Sequence, residues 1–270
     1  MHRFTSFMAL GDSFTEGMND ELPDGTFRGW ADRVAEMLAK DNPGFSYANL
    51  AIRGKTLRQI IDEQLPVALE ARPDLVTVCA GGNDIIKPGS NVDLVAEMFD
   101  GMIRQLVEAG IDVLMFTGPD PRQVSVVNRL RGKVALYNAH LHAIAQKYRT
   151  RVVDLWAMDV LRDPRAFSED RLHFSPEAHR RIALRVAEEL GLPVEEDWRE
   201  PWPKPARRRD WLRARRDDLV WARTHFWPWL VRQIRGVSTG DGLQPKRPKL
   251  MPLKPPAQLT GDSEMVNAAG

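Results

Sequence analysis

The sequence has 270 residues, of which 43% are hydrophobic and 28% charged. This composition is typical of soluble globular proteins and excludes disordered, collagenous and membrane-spanning classes. The 38 basic and 37 acidic side chains nearly cancel, so the overall charge does not indicate a nucleic-acid partner. The charge is unevenly distributed, however, because residues 195–270 carry 15 basic and 10 acidic residues, which gives them a net charge of +5 and leaves the preceding residues at −4.

Five short apolar runs, each bounded by turn residues, predict β-strands. They cover residues 4–10, 45–50, 75–80, 113–117 and 151–155. Apolar residues between these runs recur at helical spacing, so strands and helices alternate along the chain. The run at residues 75–78 is too continuously apolar for a strand with one exposed face. We therefore predict an α/β fold in which a parallel sheet is covered by helices on both faces and carries its chemistry at the carboxyl ends of the strands.

The chain divides into three segments of different composition. A last helix at about residues 176–190 ends in the stop signal Gly191-Leu192-Pro193, so we predict an α/β domain at residues 1–190. Residues 191–235 form a basic appendage that contains six of the eight tryptophans and an amphipathic pattern, which predicts a helix bent or broken near Pro228. Residues 236–270 alternate prolines with lysines and small polar residues, which predicts a disordered tail.

The single cysteine, Cys79, excludes an internal disulfide framework and a zinc site built on several thiolates. Because it lies in the third apolar run, we expect it to be a buried small hydrophobic side chain. The first apolar stretch ends without a signal-peptide cleavage site, and nothing approaches the ~20 consecutive apolar residues of a membrane span. The default expectation is therefore a cytoplasmic protein.

The first predicted strand runs into the turn Gly11-Asp12-Ser13, which is expected to lead into a helix. A serine in such a turn is commonly only a helix N-cap. A catalytic role requires a base, and the segment Asp170-Arg171-Leu172-His173 offers one. A carboxylate three residues before an imidazole can bind its Nδ1 and leave Nε2 free to take a proton. Ser13 is therefore either a cap or a nucleophile.

Two further residues follow predicted strands. Gly54 comes after the second strand and Asn83 after the third. A glycine lets its backbone amide approach a substrate closely, and an asparagine side chain is a neutral hydrogen-bond donor. With the amide of Ser13 they would form a three-donor oxyanion hole, although turn chemistry explains each of them singly.

These four segments resemble the sequence blocks of the SGNH hydrolases, also called the GDSL esterase and lipase family. The family name refers to a catalytic serine, an oxyanion glycine, an oxyanion asparagine and a catalytic histidine. The resemblance covers about residues 4–190, with Phe14 where the GDSL label has leucine. It implies a three-layer, flavodoxin-like α/β fold and the hydrolysis of esters, including acyl lipids, thioesters and acetylated sugars, with no metal and no cofactor.

The resemblance also implies a role for each matching residue. Ser13 is expected to be the nucleophile, His173 the base that takes its proton and Asp170 the acid that orients the imidazole. The amides of Ser13 and Gly54 and the side chain of Asn83 are expected to form the oxyanion hole. The expected partner is a small-molecule ester. Its acyl and leaving groups do not follow from the sequence, because they depend on the shapes of loops.

Two other functions are open at this point. Residues 49–56 nearly match a phosphate-binding P-loop, which makes a nucleotide-binding protein one alternative, but Asn49 stands where the loop needs its first glycine. A non-catalytic binding module is the other alternative. Residues 236–240 match the G-x-S-x-G pattern of a nucleophile elbow, but this match is accidental, because no histidine follows Ser238.

The remaining candidate side chains have ordinary structural interpretations. His140, His142 and His179 lie on predicted helices with no carboxylates at metal-ligand spacing, so we expect solvated or capping side chains outside the site. Arg122 follows the fourth strand, where contact with substrate and a surface salt bridge are both open.

Three interpretations of the appendage are open. Six tryptophans form a large apolar area, so packing against the α/β domain is favoured over peripheral docking on anionic membranes. Nucleic-acid binding ranks third and is not expected, because the domain that would be carried is net acidic. The sequence does not indicate an oligomeric state.

Overall fold

The computed structural model describes residues 4–123, 127–203, 223–224 and 240–253. Its strands are β1 (Ser6–Gly11), β2 (Ser46–Asn49), β3 (Leu75–Cys79), β4 (Asp112–Phe116), β5 (Arg151–Val153) and β6 (Arg247–Pro252). Its α-helices are α1 (Ser13–Glu16), α2 (Gly29–Ala39), α3 (Leu57–Glu63), α4 (Leu65–Ala71), α5 (Gly82–Ile85), α6 (Val92–Glu108), α7 (Arg131–Tyr148) and α8 (Pro176–Glu189).

The strands of the described residues form one sheet in the order β5-β4-β3-β1-β2-β6. β1 pairs in parallel with both β2 and β3, so that Met8 lies opposite Ala48 on one side and Val76 on the other. β3, β4 and β5 continue in parallel, and β6 is antiparallel to β2. The predicted α/β fold with a mostly parallel sheet is therefore confirmed. The carboxyl ends of β1 and β3 flank the point where the strand order reverses, which is where open α/β sheets bind ligands.

Side chains of β1 alternate between two apolar clusters, because successive residues of a strand point to opposite faces of the sheet. Phe7 and Ala9 pack with the cluster that includes residues of α2 and α8. Met8 and Leu10 pack with the cluster that includes residues of α3, α4, α6 and α7. Full burial of a side chain such as Phe7 contributes about 1.5–3 kcal/mol to stability. Both faces are covered, as the three-layer prediction requires.

Residues 240–253 are ordered, so the prediction of a disordered tail is wrong for this stretch. β6 lies at the edge of the sheet, with Met251 opposite Tyr47. Its prolines, Pro248 and Pro252, are compatible with an edge strand because one side of its backbone needs no partner in the sheet. A composition rich in proline and lysine therefore did not prevent pairing here.

Lys246 anchors this C-terminal segment to the α/β domain. Its Nζ donates to the backbone oxygens of Glu16 at 2.8 Å, Phe27 at 2.9 Å and Arg28 at 3.0 Å. It also forms a salt bridge of 2.9 Å with Asp32. Burial lowers the pKa of Lys246, although the charge and hydrogen bond of Asp32 act in the opposite direction. The lysine thus binds four partly buried acceptors, and it is not a solvated tail charge.

Trp198 and Trp202 begin the appendage, and both pack against the α/β domain. Trp198 Nε1 donates to Glu188, and Trp202 Nε1 donates to the carbonyl oxygen of Val160, each at 2.8 Å. The predicted amphipathic helix, its interruption near Pro228, Ser238 and tail residues 254–270 lie outside the described residues. None of the described helices has the length and apolarity of a membrane span.

Candidate active site

Ser13 lies at the carboxyl end of β1, beside the point where the strand order reverses. It is the first residue of α1, and the carboxylate of Asp12 caps that helix by accepting from the amide of Phe14 at 3.2 Å. The capping role considered for Ser13 therefore belongs to Asp12. A Cβ on Gly11 would lie 2.7 Å from the carbonyl oxygen of Cys79, so only glycine allows β1 and β3 to approach this closely in front of the serine.

Ser13, His173 and Asp170 form a continuous chain of hydrogen bonds. His173 Nε2 lies 3.0 Å from Ser13 Oγ, although 160 residues separate them. His173 Nδ1 lies 2.7 Å from Asp170 Oδ2. Because the carboxylate binds the proton on Nδ1, Nε2 is the ring nitrogen that can accept a proton from the serine.

The carboxylate of Asp170 is held by its own turn. Its Oδ1 accepts from the amides of Leu172 and His173, each at 3.0 Å. Arg171 has a left-handed φ of 53°, which closes the turn between the carboxylate and the imidazole. Burial raises the pKa of Asp170, but the hydrogen bonds and charge of His173 outweigh it and hold that pKa far below its usual range. Asp170 is therefore ionised whenever His173 can act as a base.

Asn19 is a site residue that the sequence analysis did not identify. Its Nδ2 donates to Asp170 Oδ2 at 2.9 Å, the same oxygen that binds His173 Nδ1. It has a left-handed φ of 69°, which asparagine adopts more readily than most residues. The only sequence signal is an asparagine in the loop after the serine turn, which does not indicate a partner 151 residues away.

Asn83, at the start of α5, is fixed by two acceptors. Its Nδ2 donates to Asp12 Oδ2 at 3.1 Å and to the carbonyl oxygen of Lys55 at 3.0 Å. Burial raises the pKa of Asp12 to about 6, because the amide of Phe14 and the charge of His173 only partly offset the loss of solvent. The orientation of the Asn83 amide is therefore coupled to a buried carboxylate.

Gly54 lies in a loop that contacts Asn83 through Lys55. Its φ of 76° is left-handed, which glycine adopts without strain. The carboxylate of Glu16 accepts from the amide of Arg53 at 2.8 Å and pairs with the Arg53 guanidinium. These contacts hold the loop against α1, the helix that begins with the serine.

A cavity of about 260 Å³ lies beside Ser13. Ser13, Asn83 and His173 line it, whereas Asp170 and Gly54 are not among its lining residues. Most of the other lining side chains are aliphatic or aromatic, and they include Phe14, Ile85, Phe116, Val134, Leu141 and Phe174. The three hydrogen-bonding groups thus face a predominantly apolar space.

His179 also lines this cavity, so the expectation of a solvated or capping histidine outside the site is wrong. The side chain is 1% exposed, because it lies on the buried face of α8. Its ring stacks on Phe14 with centroids 6.0 Å apart, and its Nε2 lies 3.2 Å from the carbonyl oxygen of Met18. Burial lowers its pKa to about 3, so the imidazole is neutral at physiological pH.

Cys79 ends β3 and lines the cavity too. It is half-buried, so the expected full burial holds only in part. Loss of solvent around the sulfur raises the pKa of the thiol well above its usual value. The cysteine therefore presents a neutral thiol to the cavity wall at physiological pH.

His140 and His142 face carboxylates on the surface. His140 Nε2 lies 2.8 Å from Asp93, and His142 Nε2 lies 3.6 Å from Asp154. Within the part of the chain that the structure describes, no three histidine, cysteine or carboxylate side chains are grouped to hold a metal ion.

Arg122 forms a salt bridge with Asp120, with its Nε 2.6 Å from the carboxylate. Hydrogen bonds from Arg131 and Arg122 lower the pKa of the buried Asp120 to about 2. The salt-bridge interpretation therefore describes Arg122. The contact fixes the chain directly after Pro121, which lines the cavity.

The residues that suggested a P-loop are used to build α3. Lys55 Nζ forms a salt bridge of 2.8 Å with Glu63. Thr56 and Gln59 form a capping box at the start of the helix. The last two residues of the segment that resembles a P-loop, Lys55 and Thr56, are thus bound to other side chains of the protein.

The GDSL-like Lipase/Acylhydrolase family model matches residues 9–181. Similar solved structures include an acetylxylan esterase from Geobacillus stearothermophilus, 19% identical with a TM-score of 0.58, covering 72% of this chain and 96% of that one. They also include a lipase/acylhydrolase from Enterococcus faecalis, 20% identical with a TM-score of 0.57, covering 71% and 98%. A third is the psychrotrophic esterase EstA from a Pseudoalteromonas species, 15% identical with a TM-score of 0.57, covering 69% and 97%. At these identities the likeness concerns the fold.

A curated protein also matches over a shorter length. Pyridoxine 5'-phosphate synthase from Syntrophobacter fumaroxidans is 28% identical over 93 residues. The match covers 33% of this chain and 38% of that protein. It spans too little of either sequence to carry an activity from one to the other.

Proposed function

Because the chain belongs to the GDSL-like lipase/acylhydrolase family of ester hydrolases, we propose that it cleaves carboxylic esters through an acyl-enzyme on Ser13. One observation carries this mechanism. His173 Nε2 lies 3.0 Å from Ser13 Oγ while its Nδ1 is bound to Asp170 at 2.7 Å. A nucleophile, a base and a group that orients the base are the parts required for acyl transfer through a serine.

In the first step, Ser13 Oγ attacks the carbonyl carbon of the ester and His173 Nε2 takes the hydroxyl proton. The carbonyl oxygen becomes negative as the carbon becomes tetrahedral. When the intermediate collapses, the bond to the leaving oxygen breaks and His173 gives its proton to that oxygen. The alcohol departs, and the acyl group stays on Ser13 Oγ.

Asp170 stabilises the imidazolium that forms between these two proton transfers. Its pKa lies far below the usual range, so it remains a carboxylate and does not take the proton itself. The donor from Asn19 and the two turn amides hold its oxygens in place. The imidazole therefore keeps one orientation throughout the reaction.

The negative oxygen would be held by the amides of Ser13 and Gly54 and by the side chain of Asn83. The position of Asn83 on the cavity wall supports this assignment. Its two N–H groups are bound to Asp12 and to the carbonyl oxygen of Lys55 in the free protein, so one of them must turn to the negative oxygen as it forms. Removing one such donor lowers the rate on the order of a hundredfold or more in enzymes of this kind.

In the second half of the reaction, His173 removes a proton from water, and the resulting hydroxide attacks the acyl carbon. Collapse of the second intermediate breaks the bond to Ser13 Oγ, which takes back a proton from His173. The products are a carboxylic acid and the free enzyme. His173 takes up or releases the proton in every transfer of this scheme.

The proposal is tested with p-nitrophenyl esters and a fluorophosphonate probe. We expect the wild type to hydrolyse the esters and to be labelled on Ser13, and Ser13→Ala to lose both activities. Ser46→Ala is a matched control, because Ser46 starts β2 at the opposite end of the sheet. Hydrolysis by Ser13→Ala at the wild-type rate would contradict the mechanism, as would a complete lack of both activities in the wild type.

A further inference from the structure

The cavity beside Ser13 has walls from both layers of the fold. One wall, which we call the α7 lobe, consists of Ile85, Ile86, Val134, Tyr137 and Leu141, all associated with the apolar cluster that covers one face of the sheet. The opposite wall includes aromatic side chains of the cluster on the other face, among them Phe116 and Phe174. The cavity therefore continues past the serine between the two helical layers.

Polar atoms in and beside the α7 lobe already have partners within the protein. The hydroxyl of Tyr137 donates to the carbonyl oxygen of Ala80 at 3.1 Å. The backbone of Gly118 is bound on both sides by Asn138, which accepts from its amide at 2.8 Å and donates to its carbonyl oxygen at 2.9 Å. The donors named here are already occupied, so a sugar in this lobe would exchange hydrogen bonds with water for fewer hydrogen bonds with the protein, which is unfavourable. The lobe therefore suits an apolar chain.

The chemistry of the site decides which part of the ester lies in the α7 lobe. The leaving oxygen must lie beside His173 Nε2, because that nitrogen supplies its proton. The leaving group is therefore on the side of Leu172 and Phe167, which line the cavity next to the histidine. Asn83, which would hold the carbonyl oxygen, lies on α5 directly before the Ile85 and Ile86 wall. The acyl chain then extends from the carbonyl carbon past α5.

Resting on the esterase function proposed above, we infer that the α7 lobe binds the acyl chain and that the preferred substrates are esters of unbranched, medium-length fatty acids. The cavity of about 260 Å³ sets the length. At about 30 Å³ for each water-sized group, the whole cavity holds roughly eight such groups, so an acyl chain of at most about eight carbons fits beside the leaving group. Its volume lies below the ~300–1,000 Å³ typical of sites for larger ligands, so the long chains of membrane lipids exceed it.

The inference predicts a steep dependence on acyl length. Burying one methylene in an apolar site favours binding by about fourfold. If this binding is realised in the transition state, kcat/KM rises from p-nitrophenyl acetate to the hexanoate and octanoate esters by roughly a hundredfold or more. It then stops rising for the dodecanoate and palmitate esters, because the additional carbons remain outside the cavity and gain no burial.

Two substitutions test the lobe directly. Ile86 is half-buried, so Ile86→Phe adds volume within the cavity and is expected to lower the octanoate-to-acetate ratio of kcat/KM by at least about tenfold. Val134→Ala removes volume from the wall and is expected to extend the rise of kcat/KM to longer chains. Leu136→Ala is the matched control on the same helix, because Leu136 is 47% exposed and does not line the cavity.

The outcomes separate this inference from the esterase function. Fluorophosphonate labelling of Ser13 together with hydrolysis of the acetate ester tests the function alone. An acetate rate equal to the octanoate rate in a labelled, active wild type would overturn the inference and leave the function standing. An unchanged chain-length profile in folded Ile86→Phe, verified by its thermal unfolding midpoint, would overturn it as well. We expect Leu136→Ala to keep the wild-type dependence of kcat/KM on acyl length. A shift in this variant equal to that of Val134→Ala would contradict the binding of the acyl chain in the α7 lobe.

Discussion

Asn19 and His173 donate to the same oxygen of Asp170, at 2.9 Å from Asn19 Nδ2 and 2.7 Å from His173 Nδ1. The two turn amides occupy the other oxygen. The carboxylate therefore receives at least four hydrogen bonds from the described residues and has little freedom to rotate. In the proposed mechanism, Asn19 acts through Asp170 and is a positioning residue.

We expect Asn19→Gly to lower kcat by roughly tenfold with KM nearly unchanged. Glycine keeps the left-handed backbone of this position and removes only the amide, so the carboxylate loses one charge-assisted hydrogen bond. Steady-state kinetics with a p-nitrophenyl ester measures the effect. Asn19→Asp is expected to lose more activity, because it places a second negative charge beside Asp170. Wild-type kcat in both variants would show that Asn19 has no part in positioning.

Asp170→Asn is expected to lower kcat by a factor on the order of ten thousand while leaving some activity. The new amide keeps one oxygen for the turn and directs its NH₂ group at both Asn19 Nδ2 and His173 Nδ1. The imidazole then carries its proton on Nε2, where it cannot take a proton from Ser13. His173→Ala should lose more activity, since it removes the base itself. Equal kcat values for Asp170→Asn and wild type, measured at pH 8, would rule out this role.

Asp12 is expected to make the stability of the protein depend on pH. Burial raises its pKa to about 6, whereas the unfolded chain has an ordinary value of about 4. Between these values the folded state keeps a proton that the unfolded state has released, so the free energy of unfolding falls as the pH rises. The stabilisation that comes from the protonated Asp12 is fully present below pH 4 and is lost by about pH 6. The free energy of unfolding falls by about 3 kcal/mol in total over this range.

Asp12→Asn removes this titration. We expect the free energy of unfolding of the variant, relative to wild type, to increase by up to about 3 kcal/mol between pH 4 and pH 7. Urea unfolding at one-unit pH intervals measures the difference. Parallel pH profiles for the two proteins would contradict a raised pKa at Asp12. Activity should fall in the variant at every pH, because Asn83 loses an acceptor that orients it.

Lys246→Met is expected to destabilise the protein by about 3 kcal/mol. The substitution leaves the partly buried Asp32 without its cation and three backbone oxygens without their donor, and breaking such a pair from one side is strongly unfavourable. Chemical unfolding measures the loss. Lys249→Met is the matched control, because Lys249 is an exposed residue of β6, the strand that follows Lys246 directly. If both variants unfold at the same denaturant concentration, Lys246 does not anchor the C-terminal segment.

The sequence pattern was sufficient to predict the parallel strands of the sheet and to identify the family. Each of the five predicted strands overlaps a strand of the structure, because buried parallel strands require short, continuously apolar runs whatever surrounds them. The segments around Ser13 and His173 were also recognisable, since a turn after a strand and a carboxylate near an imidazole are local features. Local features of this kind survive in a sequence because they depend on neighbouring residues only.

Tertiary structure alone decided the contacts between distant segments. Nothing local marks Asn19 as a partner of Asp170, places His179 in the cavity or makes a strand of β6. These contacts depend on which surfaces the fold brings together. A histidine or lysine side chain can equally lie in solvent, and only the folded structure determines whether another residue lies beside it. Lys246 shows the reason most clearly. Its proline- and lysine-rich surroundings favour disorder, and the segment is ordered because β2 offers an unpaired edge and Asp32 and three carbonyl oxygens offer acceptors.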